Sequence, residues 1–180
     1  MRRLLASLPL ILGLGGCIES SVDLSASVTP AFPIAEGFYK STNDPKSPAF
    51  KIVRSGSDYR AIDPTEANDK GSAFSLMDPD DTGLFIAEDK SGASDPKSPS
   101  YSYYFVRVSA TSDRVDLYDF VEADWRRLPA DLKKRIAPGV GFRLVDDAEA
   151  PAILRALDQR LAKRPTLRKT TFRLVRKIDS

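Results

Sequence analysis

The chain contains no histidine and one cysteine among its 180 residues. Without histidine the commonest general base and the commonest metal ligand are missing, which excludes Ser-His-Asp and Cys-His catalysis and the usual zinc sites. One cysteine excludes an internal disulfide. No glycine-rich phosphate loop is present. The longest charge-free apolar stretch, Leu4 to Leu14, is about half the roughly 20 residues that a bilayer-spanning helix needs, and Pro9 and Gly13 interrupt it. Paired carboxylates remain as a formal route to catalysis, but the acidic residues gather in polar turns, where solvated pairs are far commoner than tuned acid and base partners. Neither enzymatic activity nor a cofactor is expected.

What is present begins at the amino terminus. Met1, Arg2 and Arg3 open the chain with positive charge, the apolar stretch follows, and Leu14-Gly15-Gly16-Cys17 closes it. A charged start, a short apolar core and small residues at its end are the parts of a secretory signal. The closing tetrapeptide resembles the lipobox of bacterial lipoproteins: an aliphatic residue, two small residues and the cysteine that takes a diacylglycerol before cleavage. The resemblance implies that residues 1–16 are removed and that Cys17 carries two acyl chains, often with a third on its amine. Each buried methylene then adds about 0.8 kcal/mol of membrane affinity. In the Gram-negative families it resembles, Ile18 after the cysteine, in place of Asp, implies the outer membrane, with the protein facing the periplasm.

Without residues 1–16 the chain has 25 basic and 25 acidic side chains, so its balance gives no reason to expect nucleic acid as a partner. The charges are unevenly spread. Asp58 to Asp95 holds ten acidic and three basic residues, whereas Ala150 to Ser180 holds nine basic and two acidic. One end of the molecule has the composition to face an anionic surface; two regions attracting each other, or plain solvated faces, account for the same letters.

Residues 17–35, rich in Ser, Thr and Pro and without sustained periodicity, read as a flexible tether ahead of a single β-rich domain at 36–180. Within that domain, runs of apolar, aromatic and β-branched residues alternate with turn-forming clusters. Strands are predicted at Gly37 to Lys40, Phe50 to Arg54, Tyr59 to Ile62, Ala73 to Met77, Leu84 to Glu88, Tyr101 to Ser109 and Arg114 to Phe120. A short helix at Pro129 to Ile136 and a strand at Gly141 to Val145 come next. Asp147 to Lys163 has Ala150, Ile153, Leu154, Leu157 and Leu161 on one face, and Asp147 suits its cap. Thr170 to Ile178 closes the chain as a strand. The fold class is therefore mainly β: an antiparallel meander forming a small barrel or curved sheet, with a short helix and one amphipathic C-terminal helix before the last strand. Gly37-Phe38-Tyr39 resembles the Gly-x-Trp opening of lipocalin-type barrels, with Tyr in the place of Trp.

Three further features bear on function. Asp44-Pro45-Lys46-Ser47-Pro48 recurs as Asp95-Pro96-Lys97-Ser98-Pro99, each copy reading as a surface loop. Asp78, Asp80, Thr82 and Gly83 follow the first half of an EF-hand calcium loop, but the flanks read as strands and the twelfth position is Asp89 instead of Glu. A hairpin turn with Gly83 at positive φ explains the same letters. Tyr101, Tyr103 and Phe105 share one face of a strand, with Trp125 further on, as candidate ligand-binding aromatics; filling of a covered sheet from both sides is the alternative. Two functions fit: an envelope lipoprotein with a non-catalytic structural or interaction role towards an envelope protein or the cell wall, and a lipocalin-like carrier of an apolar small molecule or lipid. A carrier needs a cavity of at least about 300 Å³, whereas an interaction module is filled solid.

Overall fold

A computed structural model describes residues 17–66, 69–78, 83–94, 99–139, 141–163 and 169–178. The predicted signal peptide at 1–16, the loop positions Asp80 and Thr82, and most of the second Asp-Pro-Lys-Ser-Pro copy lie outside the described residues.

Among the described residues the strands are β1 (Ile18–Ser20), β2 (Gly37–Ser41), β3 (Phe50–Ser55), β4 (Asp58–Ile62), β5 (Ser72–Met77), β6 (Phe85–Asp89), β7 (Tyr101–Val108), β8 (Arg114–Tyr118), β9 (Ile136–Pro138), β10 (Phe142–Leu144) and β11 (Lys169–Lys177). The helices are α1 (Glu122–Arg126), α2 (Ala130–Arg135) and α3 (Ala150–Lys163). Strands β2 to β8 form an antiparallel meander, and β11 returns to pair with both β8 and β2, which closes an eight-stranded barrel. The mainly β barrel with a helix before its last strand is thus the architecture that the alternating pattern predicts.

Local sequence explains the corners and the closure. Gly56 and Gly83 take φ of 65° and 70°, a region that favours glycine. At Gly37 the constraint is space: a Cβ there would lie 2.3 Å from Leu174 Cδ1 and 2.6 Å from the Arg176 carbonyl oxygen. That close approach sits opposite the register shift in β11 between Leu174 and Arg176, where the barrel closes on itself. Two residues on, Tyr39 turns inward. Its hydroxyl donates to the carbonyls of Ala35 and Ser112, at 2.8 and 3.1 Å, and burial pushes its pKa up to about 12.

The barrel wall separates two apolar cores. Inside lie Tyr39, Ile52, Tyr59, Leu76, Tyr104 and Val106, among others. Outside, Met77, Ile86, Tyr103, Phe105 and Tyr118 face away from the lumen and are covered by α3 through Ile153, Leu154, Leu157 and Leu161. The predicted apolar face of this helix is therefore the face it buries. The predicted cap moves by one residue: Asp146 accepts from the Ala148 amide at 2.9 Å, at the head of a 3-10 turn leading into α3. Asp147 instead accepts from the hydroxyls of Ser20 and Ser21, at 2.6 and 2.5 Å.

That contact belongs to a correction. Residues 17–35, expected to be a flexible tether, are packed onto the barrel. β8 leaves the edge of β7 after Tyr118, and β1 takes the same edge further along, with Ile18 opposite Tyr103 and Ser20 opposite Tyr101. β1 also pairs in parallel with β10, and β10 with β9. Ile18 is fully buried, and Leu24 and Ile34 fill the outer and inner cores respectively. Polar composition misleads here because the anchoring apolar residues are single and widely spaced, so they produce no periodicity. Ile18→Ala is expected to lower stability by about 2–4 kcal/mol, the range for truncating a buried Ile or Leu, in urea denaturation; a residue of a free tether would leave the midpoint unmoved.

Candidate functional site

Three places gather chemistry: the barrel lumen, the seam where β1 meets β7, and a carboxylate latch on the outer wall.

The lumen holds an apolar cavity of about 100 Å³, with Ile34, Phe50, Leu76, Tyr104, Leu117 and Phe172 among its walls. Aromatic packing consumes most of the interior: Phe50 meets Phe172 edge-on at 5.2 Å, and Tyr59 stacks on Phe74 at 5.4 Å. Asp89 is the acidic group in the lining, and burial raises its pKa, opposed by hydrogen bonds from Ser91.

The aromatics singled out in the sequence do not line this cavity. Tyr103 and Phe105 are fully buried on the outer face of β7, and Tyr101 and Trp125 pack against the same outer core. Trp125 donates its indole N–H to the Ile136 carbonyl at 3.0 Å, a structural bond that joins α1 to β9. The lumen receives the other parity of the strand, Tyr104 and Val106. Alternation identifies the two sets of side chains, but the covering helix makes both sets core, so hydrophobicity alone does not say which one points inward.

Cys17 stands at the seam. Its carbonyl accepts from the Phe142 amide at 3.1 Å, and its side chain, half-buried, packs at the edge of the inner core. Burial pushes the thiol pKa up, while hydrogen bonds with Ser102 and Tyr104 oppose the shift. A raised pKa keeps the thiol protonated and slow as a nucleophile. The next residue, Ile18, is already in the sheet, so nothing separates the sulfur from the domain.

The latch centres on Glu88, which faces outward from β6 and is fully buried. One carboxylate oxygen accepts from the amides of Leu24 and Ser25, at 2.5 and 3.2 Å, and from the Tyr103 hydroxyl at 3.2 Å. Lys90 lies 3.8 Å from the other oxygen and 3.0 Å from Asp58. Desolvation by burial, then the charge of Asp23, raises the Glu88 pKa. Tyr103 also donates to the Val22 carbonyl. Together these bonds clamp residues 22–25 to the barrel. No sequence motif marks the latch, since its members come from four separated segments.

Of the calcium-loop pattern, Asp78, Gly83, Glu88 and Asp89 are among the described residues. Asp78 accepts from the Gly83 amide at 3.2 Å, an intraloop bond at the β5–β6 hairpin, and the flanking segments are strands. Glu88 and Asp89 leave β6 on opposite faces, one into the outer wall and one into the lumen. Among the described residues no group of three or more Cys, Asp or Glu side chains is arranged to hold a metal ion. Of the Asp-Pro-Lys-Ser-Pro copies, the first is a surface turn in which Asp44 accepts from the Lys46 amide and the Ser47 hydroxyl, at 3.1 and 2.5 Å.

Comparison of the chain with models of known protein families, with curated proteins and with solved structures found no match.

The latch carries a pH signature. The folded chain holds the Glu88 proton at pH values where the unfolded chain, with an ordinary pKa of 4.5, has released it. Stability therefore falls as pH rises from the unfolded value through the raised folded one. Glu88→Gln keeps an acceptor for the Leu24 amide and removes the titration. Its denaturation midpoint is expected to vary less with pH over that interval than the parent's; identical pH profiles would mean that Glu88 is not the group being titrated.

Proposed function

We propose that this chain is a bacterial envelope lipoprotein, held by lipid on Cys17, whose barrel acts as a non-catalytic structural or interaction module seated directly on the bilayer. The observation that carries the reading is the position of Cys17. Cys17, the last residue of the lipobox-like tetrapeptide, stands immediately before strand β1 and is backbone-bonded to Phe142. A processing site at that point removes residues 1–16 and keeps Ile18 and the rest of β1. With two acyl chains on Cys17 and Ile18 inside the sheet, the β1–β7 seam is held at the membrane surface, because an anchor without a spacer cannot lift the domain away.

The small lumen favours a structural or interaction role over transport. A cavity of about 100 Å³ falls well short of the roughly 300–1,000 Å³ of ligand pockets and has no room for an acyl chain. A carrier built on this barrel is restricted to a compact apolar molecule, on the scale of the small aromatics that engineered core cavities accept. The half-buried thiol fits the anchor reading in a further respect: it sits at the wall's edge, where the sheet parts, and not within a catalytic array. Localisation at the periplasmic face of the outer membrane follows from the lipobox resemblance and Ile18.

Mass spectrometry of the chain recovered from host envelopes tests this directly. The expected product begins at residue 17 with an acyl mass, and Cys17→Ser remains unprocessed at that site and without lipid. A mature start elsewhere, or an unmodified Cys17, would sink the anchor. Lipid co-purifying in stoichiometric amount with the acylated barrel would replace the interaction role with the carrier.

A further inference from the structure

Beyond the lumen, one concavity has the volume of a ligand site. It lies between α1 and α3, measures about 370 Å³, and has an apolar floor of Phe120, Leu128, Leu157 and Leu161. Arg127, Arg160 and Asp124 are its charged lining. Arg160 is fixed in place, donating from Nη2 to the Arg127 carbonyl at 2.7 Å, which uses one of the five N–H groups of its guanidinium. The Arg127 side chain is exposed. Asp124 is turned towards its own helix, where its carboxylate accepts from the Val121 amide at 3.1 Å. Two guanidinium groups thus stand against one carboxyl over a greasy floor, and Lys163 extends the basic character along the exposed end of α3.

The groove adjoins the anchor through a short chain of contacts. Phe120 forms part of the floor and meets Phe142 edge-on at 4.8 Å, and the Phe142 amide is bonded to the Cys17 carbonyl. β11 begins opposite Tyr118, so the chain after α3 returns to the barrel near this same place. Of the basic residues of the C-terminal third, Arg160 lines the groove, whereas Arg173, Arg176 and Lys177 lie further along β11, beside β2.

We infer that the α1–α3 groove binds the phosphate headgroup of an anionic phospholipid in the membrane to which Cys17 is attached, an inference that rests on the lipid-anchor reading. The guanidinium forks match the phosphate oxygens in geometry and charge. The leucine and phenylalanine side chains beneath the groove, buried in the outer core, close its base and leave the guanidinium groups at its rim. Anionic leaflets also draw basic groups held near their surface, and a spacer-free anchor at Cys17 keeps the domain close to that surface. Such a contact would fix the barrel's tilt on the bilayer and so determine which face is offered to a partner.

The test is hydrogen exchange of the acylated full-length product in phosphatidylcholine vesicles, with and without about one-fifth phosphatidylglycerol. Several-fold slower exchange at residues 120–128 and 157–163, seen only with phosphatidylglycerol and lost in Arg127→Gln, is the expected result. Arg127→Gln is a safe probe, since it alters an exposed side chain and keeps the backbone carbonyl that Arg160 uses. Equal exchange in both vesicles, or protection that survives the substitution, overturns the assignment. Equal protection from inorganic phosphate in phosphatidylcholine vesicles also overturns it, in favour of a free anion. Failure of the anchor is read separately from the mass of the Cys17 peptide. If no acyl group is found, the unacylated chain is sedimented with the same vesicles: phosphatidylglycerol-dependent binding lost in Arg127→Gln retains the groove, and its absence overturns it.

Discussion

The whole arrangement depends on one edge of β7. Along its length this strand meets β8 over Phe105 to Val108 and β1 over Tyr101 to Tyr103, while β6 pairs with its opposite edge. Its two parities both end in apolar surroundings, Tyr103 and Phe105 under α3 and Tyr104 and Val106 in the lumen. A strand buried on both faces cannot slip by one residue without exchanging one complete packed set for the other, so its register is strongly fixed. The departure of β8 after Tyr118 would leave β7 with unpaired backbone groups, and β1 supplies the partner. That substitution draws the N-terminal segment into the fold and, with it, Cys17.

Two consequences for electrostatics follow from the same geometry. Glu88 lies on the outward parity of β6, beneath the segment that β1 leads into, and is excluded from water by it. One of its oxygens is satisfied by the backbone amides of Leu24 and Ser25 and the Tyr103 hydroxyl, while the other is buried without a hydrogen bond among the described residues, 3.8 Å from the Lys90 ammonium. Asp89, one residue on, is carried to the lumen. Adjacent acids on one strand thus acquire unrelated roles, and their closeness in sequence is no sign of a shared site.

Much of the fold was legible because most of its strands are long enough to show alternation and are separated by turn-forming residues. The strands from Gly37 to Tyr118 fall within a residue or two of their predicted bounds, and the buried face of α3 is the predicted one. What escaped is short. β1 and β9 have three residues each, too few for a pattern, and α1 is a five-residue helix whose apolar contribution is Trp125. Isolated Ile18, Leu24 and Ile34 each fill a separate hole, which no window average detects. The candidate aromatics Tyr101, Tyr103 and Phe105 were grouped by parity, but parity does not say which set faces the lumen, because that is settled by closure, a property of β2 and β11 together. The Arg127 and Arg160 pair was invisible for a related reason: α1 and α3 are brought together only by the outer core.

The closure has a temporal meaning. The ladder between Gly37–Ser41 and the last described strand joins the two ends of the barrel sequence, with the whole meander and all three helices in between. A chain delivered amino terminus first would keep one edge of β2 open until β11 arrives, and the cost of bringing such distant segments together makes this step slow compared with forming the hairpins. Completion of the barrel is therefore coupled to the arrival of β11. An incomplete molecule, whether truncated or still being delivered, would expose the β2 edge and part of the inner core, the features by which quality-control chaperones and proteases distinguish unfinished proteins from finished ones.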